Sequence, residues 1–335
     1  MESNKASVIG AGAWGTAIAR HLGGKGVPVT LWAYESEVVD EINNAHVNSA
    51  FLPGFTLSGN ITATTDLAKA AGAEAVFFVV PSHVMEGVIK KMIPHLAPDA
   101  VIVSATKGIE NNRLRMPSEI FDELLPPAAA RRLVCLSGPT FAKEVAMGLP
   151  TAITAASRDP AAAQKVQDLL SDQRMRVYTH DDVIGVELGG AVKNVIAIAA
   201  GIADGLKLGH NARAALITRG LAEMVRLGKA MGGSEATFAG LSGIGDLILT
   251  ATGDLSRNRT VGMRLGAGES IGQILGGMKA VAEGVLTSRS LYELAKKKGV
   301  DMPVCAEVFR VCHEGKNPKE AVAQLMGRSL KGEFY

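Results

Sequence analysis

The sequence predicts an α/β fold: a parallel-rich, doubly wound sheet over residues 1–180, then a second, all-helical domain over residues 181–335. Three observations predict it. A chain of 335 residues exceeds the size at which one hydrophobic core keeps growing, so two domains are expected. From residue 7 to about residue 178, short β-rich runs alternate with helical patterns, as parallel strands covered by helices on both faces require. Beyond about residue 181 the strand-like runs give way to long Ala-, Leu- and Gly-rich helical stretches, as over residues 211–231.

The strand-like runs are residues 7–9, 29–32, 61–63, 75–80, 101–104, 133–136 and 152–155. Several are unbroken apolar stretches, which suits strands buried on both faces. Pro81, Pro94, Pro98, Pro126, Pro127, Pro139 and Pro150 fall between them, where a missing backbone donor does least harm. With no flexible Gly/Ser linker, the domains are expected to meet in a direct strand-to-helix passage.

Composition narrows the function. A formal net charge of +2 gives no broad field for nucleic acid or an anionic membrane, and Lys296-Lys297-Lys298 is read as a solvated helix face. The longest apolar region, residues 192–206, includes Lys193, Asn194 and Asp204 and falls short of the roughly twenty apolar residues of a membrane span, so a buried helix is expected there. Residues 1–6 run into the first strand without a basic-then-apolar leader, which predicts a cytoplasmic protein. Cys135, Cys305 and Cys312 lack Cys-x-x-Cys spacing and are read as reduced structural thiols. The seven histidines form no His-Glu-x-x-His pattern, so no metal is expected.

Gly10-Ala11-Gly12-Ala13-Trp14-Gly15 follows the first strand and opens a helix, the context of a Rossmann-type dinucleotide turn. Its glycines allow the tight turn, the approach of backbone to a pyrophosphate, and close helix–strand packing. The second strand ends Trp32-Ala33-Tyr34-Glu35. An acid there would hold a ribose hydroxyl, but Ala33 is not acidic, Glu35 arrives late, and no arginine stands ready for a 2′-phosphate. NAD and NADP both remain open.

A dinucleotide implies hydride chemistry, which needs a proton acceptor and groups that hold the substrate. Lys193 lies in Leu188-Gly189-Gly190-Ala191-Val192-Lys193-Asn194, a helix apolar on almost every side. Either it reaches water along a half-exposed helix or it is a buried amine with lowered pKa, able to act as a base. Gly189 and Gly190 indicate close approach by another backbone or a ligand. Asp246, the lone acid in Gly243-Ile244-Gly245-Asp246-Leu247, either caps a helix or orients that amine. Ser256-Arg257-Asn258-Arg259 offers donors suited to phosphate, or is a polar surface turn. Ser104-Ala105-Thr106-Lys107-Gly108 and Ser137-Gly138-Pro139-Thr140 end strands on the side where open α/β sheets bind ligands. Tyr292 and Lys296 match a Tyr-x-x-x-Lys dyad but are read as chance helix spacing.

Taken in order, the glycine turn through Thr16, Val80-Pro81-Ser82-His83, Ala105-Thr106-Lys107-Gly108, Ser137-Gly138-Pro139-Thr140-Phe141-Ala142, Gly189-Gly190-Ala191-Val192-Lys193-Asn194 and Ser256-Arg257-Asn258 strongly resemble the bacterial NAD(P)-dependent sn-glycerol-3-phosphate dehydrogenases. The resemblance spans roughly residues 8–327. It implies a helical C-terminal domain like that of 6-phosphogluconate dehydrogenases. It also implies interconversion of dihydroxyacetone phosphate and sn-glycerol 3-phosphate, feeding glycerophospholipid synthesis, with Lys193 as proton acceptor in the oxidative direction. The implied substrate contacts are Lys107, Gly138, Thr140, Lys193, Asp246, Ser256, Arg257 and Asn258. The implied cofactor contacts are Trp14, Tyr34, Lys107, Ala142, Arg257, Val281 and Glu283, with Gly10, Gly12, Ala13 and Gly15 forming the turn. Ala13 and Tyr34 depart from the residues common in relatives, which bears on NAD against NADP. A small phosphorylated substrate and a homodimer are the expected partners, the latter as the default for this kind of helical domain. A β-hydroxyacid dehydrogenase shares this plan and stands as the enzymatic alternative; a dinucleotide sensor without turnover leaves Lys193 without a purpose.

Overall fold

The computed structural model describes residues 5–278, 282–330 and 332–333. Eight strands form one sheet and two a separate hairpin. In chain order they are β1 (Ala6–Ile9), β2 (Val29–Trp32), β3 (Val47–Asn48), β4 (Leu52–Thr56), β5 (Ile61–Thr64), β6 (Ala75–Phe78), β7 (Val101–Ser104), β8 (Val134–Ser137), β9 (Thr151–Ser157) and β10 (Met175–His180). The large sheet runs β10-β9-β8-β7-β6-β1-β2-β5. Neighbours pair in parallel except β8 and β9, which are antiparallel. Strand order reverses at β1, and in such sheets ligands bind in the crevice beyond the strand C-termini at that point.

The expected runs correspond to strands, although Val79 and Val80 lie past the end of β6. Two features are additional. Strand β10 alternates buried and exposed residues at the sheet edge rather than forming an apolar run. The β3–β4 hairpin is short, interrupted by Pro53 and by Gly54 at φ +85°, and packs beside the helix Ala13–Gly24, where Arg20 Nε donates to the Thr56 carbonyl at 3.1 Å.

From β10 the chain turns through Asp182, whose carboxylate accepts from Gly185 N at 2.9 Å, into the helix Val183–Gly205. This central helix is long and apolar enough to cross a membrane, yet it is buried almost throughout. Its apolar residues form the core of the helical half, which Ile109 and Met116 enter from the sheet half. Two further clusters line the two faces of the sheet. Cys135, Cys305 and Cys312 are free and buried.

The closest helix crossing is made by four glycines. Cβ atoms on Gly201 and Gly205 would lie 2.1 Å from the Arg259 oxygen and 2.3 Å from the Met263 oxygen. Those on Gly262 and Gly266, in the facing helix Arg257–Gly266, would lie 2.1 Å from the Ile198 oxygen and 2.5 Å from the Ile202 oxygen. Backbone therefore meets backbone, and this brings Ser256, Arg257 and Asn258 against the central helix. A side chain at Gly262 would have to push two helices apart. Gly262→Val is expected to destabilise the protein by about 3 kcal/mol or more, measured by denaturant unfolding; a loss under about 1 kcal/mol would contradict this packing.

Two buried carboxylates tie elements together by capping helices that are distant in sequence. Glu187 accepts from Ser118 N at 3.0 Å, joining the central helix to Pro117–Leu124. Glu223 accepts from Val304 N at 2.6 Å and Cys305 N at 3.0 Å, at the start of Pro303–His313. Burial outweighs these bonds and raises both carboxyls from 4.5 to about 7. A raised acid pKa means that the folded state binds more protons than the unfolded one across that interval, so stability declines as pH rises from about 4.5 to about 7. Glu223→Gln is expected to flatten part of that decline in thermal melts taken across the interval; an unaltered slope would show that Glu223 does not titrate there.

Candidate active site

Lys193 lies on the central helix with 5% of its surface exposed. It does not reach water along the helix. Its amine bonds to an Asp246 oxygen and donates to Thr250 Oγ1 at 2.9 Å. Asp246 opens the helix Asp246–Thr252 after a tight turn in which a Cβ on Gly243 would lie 2.1 Å from the Phe238 oxygen. It is completely buried, and among the described residues its carboxylate accepts from no helix N–H. The second Asp246 oxygen accepts from Lys107 Nζ at 2.8 Å, so one carboxylate serves two ammonium groups.

Lys107 comes from the loop after β7, which Thr106 fixes by donating to the Val80 carbonyl at 2.8 Å. Its amine also donates to the Gly138 carbonyl at 3.3 Å, an oxygen that accepts from Thr140 Oγ1 at 3.1 Å as well. Gly138 stands at φ +144° with its α-carbon against β9: a Cβ there would lie 3.0 Å from Ile153 Cα, and left-handed backbone disfavours one in any case. Gly189 and Gly190 do mark close approach, and the approaching group is the chain itself. Cβ atoms there would lie 2.2 Å from the Ser242 oxygen and 2.7 Å from Ser137 Oγ.

The other substrate-facing candidates are brought in by an asparagine bridge. Asn258 Nδ2 donates to Asn194 Oδ1 at 2.9 Å, and Asn258 Oδ1 accepts from Gly284 N at 3.0 Å. Two helix starts, Arg257–Gly266 and Glu283–Lys298, are thereby pinned beside the lysines. Within the Ser-Arg-Asn-Arg run the roles divide. Ser256 Oγ caps its own helix, accepting from Arg259 N at 3.2 Å. Arg259 is held by Asp204 at 2.8 Å and Asp254 at 2.9 Å. Arg257 stays exposed, with no side-chain hydrogen-bond partner among the described residues.

Electrostatics follow from this geometry. Burial lowers the Lys193 pKa from 10.5 to about 7; the Asp246 charge opposes that shift and the Lys107 charge reinforces it. Glu283 is raised from 4.5 to about 7 by burial, against the pull of Arg257, Lys107 and Lys193. A neutral amine is therefore accessible near pH 7 beside a cluster of positive groups, the condition for a general base acting near a phosphorylated anion.

At the dinucleotide turn, Gly10 stands at φ +118°, and a Cβ there would lie 3.0 Å from the Val79 oxygen. One on Gly15 would lie 1.9 Å from the Gly10 oxygen, whereas one on Gly12 would meet nothing within 4 Å. Backbone is packed behind the turn and space is open in front of it. Gly12 precedes the helix Ala13–Gly24, whose first N–H groups face an anion position. This arrangement fits a pyrophosphate. Trp14 is half-buried beside the turn, with an indole N–H that has no partner among the described residues. Tyr34 stands 82% exposed past β2, outside the hydrogen-bonded cluster, and Ala142 opens the helix Ala142–Met147. Val281 lies outside the described residues. The Tyr292–Lys296 pair is a surface contact: Lys296 Nζ sits 5.4 Å over the Tyr292 ring, which stacks on Phe309.

Family models describe this combination. That for the NAD-dependent glycerol-3-phosphate dehydrogenase N-terminus matches residues 5–163, and that for the C-terminus residues 182–323. The chain belongs to this family. A glycerol-3-phosphate dehydrogenase (NAD(P)+) of Geobacter sulfurreducens is 54% identical over 334 residues, covering 99% of this chain and 100% of the relative. That of Koribacter versatilis is 54% identical over 335 residues, covering 99% of each. Among solved structures, glycerol-3-phosphate dehydrogenase from Coxiella burnetii superposes with a TM-score of 0.92 at 41% identity, covering 97% of this chain and 99% of that one. A ketopantoate reductase from Ralstonia eutropha, at 16% identity and a TM-score of 0.60, shares the fold alone.

Thr250 was absent from the sequence-based candidates, and Asn194 carried no role there. The signal for Thr250 was its place four residues after Asp246, on the same face of one helix. Asp246→Asn leaves two ammonium groups without their carboxylate and is expected to cost about 3–5 kcal/mol at pH 6. The deficit should shrink toward pH 10, because deprotonating a lysine to relieve it becomes easier. Urea unfolding at both pH values checks this; a deficit independent of pH would mean that the lysines do not depend on Asp246.

Proposed function

We propose that the chain interconverts dihydroxyacetone phosphate and sn-glycerol 3-phosphate, with NAD or NADP as hydride carrier. The observation that supports it most is a buried lysine brought to about 7 between a shared carboxylate and a phosphate-binding set of donors. The glycine turn and Trp14 hold the dinucleotide, with Tyr34, Ala142, Val281 and Glu283 along its length, and residues 1–180 form that half of the site. Residues 181–335 complete it. When bound, the nicotinamide takes up or supplies the hydride at the substrate's central carbon.

The chain's own groups move the proton and hold the anion. In the oxidative direction neutral Lys193 accepts the hydroxyl proton as the C–H bond yields its hydride and the C=O bond forms; in reduction the ammonium returns that proton. Asp246 and Thr250 orient the amine. Lys107, Gly138 and Thr140 close one side of the substrate. Ser256, Arg257 and Asn258 receive the phosphate, to which Arg257 brings a fork of donors with no hydrogen-bond partner among the described residues.

The same reading makes the protein a homodimer of the cytoplasm that feeds glycerophospholipid synthesis. Three free buried thiols accord with a reducing compartment, and sedimentation reads the assembly. Relatives at 54% identity are named for both NAD and NADP, and the preference rests with the exposed end of β2.

Lys193→Ala is expected to lower kcat by about 10²–10⁴ while NADH affinity stays within about twofold; parent-like turnover would remove Lys193 from its role. Arg257→Ala is expected to raise KM for dihydroxyacetone phosphate about tenfold to a hundredfold, the worth of a charged hydrogen bond, and an unchanged KM would move the phosphate elsewhere. For glycerol 3-phosphate oxidation kcat/KM should rise with pH through about 7, since only the neutral amine accepts a proton. Preference for a β-hydroxy acid over the phosphate ester would contradict the whole reading.

A further inference from the structure

The hairpin β3–β4 has no part in the chemistry above, yet its Asn48 is completely buried and reaches the dinucleotide turn. Asn48 Nδ2 donates to the Ala11 carbonyl and to Thr16 Oγ1, both at 2.8 Å. Thr16 Oγ1 itself donates to the Ala11 carbonyl at 3.0 Å. Asn48 Oδ1 accepts from Phe51 N at 3.1 Å, so the side chain is fully used and its orientation is determined. One carbonyl in the turn is therefore held from behind by two side-chain donors, one from the hairpin and one from the first turn of the helix.

That grip has a geometric consequence. In a trans peptide the C=O of one residue and the N–H of the next point in opposite directions, and no cis bond occurs among the described residues. Holding the Ala11 oxygen toward Asn48 aims the Gly12 N–H the other way. Among the described residues that N–H has no acceptor, and the space beside Gly12 is open. Were the peptide to flip, the turn would present a carbonyl oxygen to an anion and bury an N–H against the Asn48 amide.

We propose that Asn48, acting with Thr16, is a positioning residue for dinucleotide binding: it locks the Ala11–Gly12 peptide so that the Gly12 N–H faces the pyrophosphate oxygens. This rests on the reading of the glycine turn as a dinucleotide site. Asn48 touches no reacting atom, so its removal acts on affinity for the dinucleotide and leaves the proton-transfer machinery at Lys193 intact.

NADH binding to the full chain by calorimetry, with steady-state kinetics beside it, is the test. Asn48→Asp keeps the acceptor for Phe51 N but replaces the donor to Ala11. It is expected to raise the NADH Kd about tenfold or more, as for a lost charge-assisted hydrogen bond, with kcat at saturating NADH and KM for dihydroxyacetone phosphate near parent values. Thr16→Val should shift affinity in the same direction and Thr16→Ser should restore it. Glu41→Ala, which cuts the link from Glu41 to Ser49 on the hairpin and leaves the Asn48 and Thr16 bonds in place, should bind as the parent does. In the parent chain the Gly12 amide should exchange quickly without dinucleotide and slowly with NADH; this measurement and Thr16→Val decide the matter should Asn48→Asp not fold. Parent-like affinity in the folded Asn48 and Thr16→Val variants, or a slowly exchanging Gly12 amide without NADH, overturns the proposal alone. A parent chain that binds neither NADH nor NADPH overturns the dinucleotide reading and this proposal with it.

Discussion

A single buried carboxylate, Asp246, shared between Lys193 and Lys107, is the interaction on which the rest of the site depends. Two ammonium groups and one carboxylate leave a net positive charge in a place water hardly enters, which is costly unless one amine gives up its proton. Burial makes Lys193 the group that yields. The same carboxylate reaches from the helical half to the loop after β7, so the charge that orients the base also holds the two halves in register. A salt bridge in this position is a poor source of stability when compared with apolar packing; its value lies in the geometry it selects, while its charge limits how far burial lowers the Lys193 pKa.

Packing delivers these groups to one place. The central helix can approach its neighbours closely because glycines face the Ser242, Arg259 and Met263 carbonyls. The asparagine pair Asn194–Asn258 then fixes the starts of two more helices at the same level. Rigid backbone thus positions Arg257 and Glu283, while the side chain of Arg257 makes no hydrogen bond among the described residues.

Much of this was legible in the sequence where the determinant is local. The glycine turn announces itself because its spacing and its place after a strand are set by backbone geometry within six residues. Lys193 stood out because an ammonium in an unbroken apolar helix needs an explanation. The alternating strands were readable from apolar runs, and β10 escaped because an edge strand buries only alternate residues. The reversed direction of β9 was hidden for another reason: residue preferences along a strand carry no information on the direction of its neighbours.

What stayed hidden depends on contacts between distant residues. Asp246 read equally well as a helix cap, and nothing near it in sequence reveals that Lys107 and Lys193 both lie against it. Asn48 sits in a short hairpin that no apolar pattern marks, and its partners are 37 and 32 residues away. Gly189 and Gly190 signalled close approach but not its identity, which is the chain's own Ser242 and Ser137.

The central claim concerns the state of one amine, and an NMR titration of the Lys193 side chain in the parent protein, labelled at the ε-carbon, reads it directly. A midpoint near 7 agrees with a buried base coupled to Asp246 and Lys107; a midpoint near the 10.5 of a free lysine would show the amine to be an ordinary solvated cation and contradict the account.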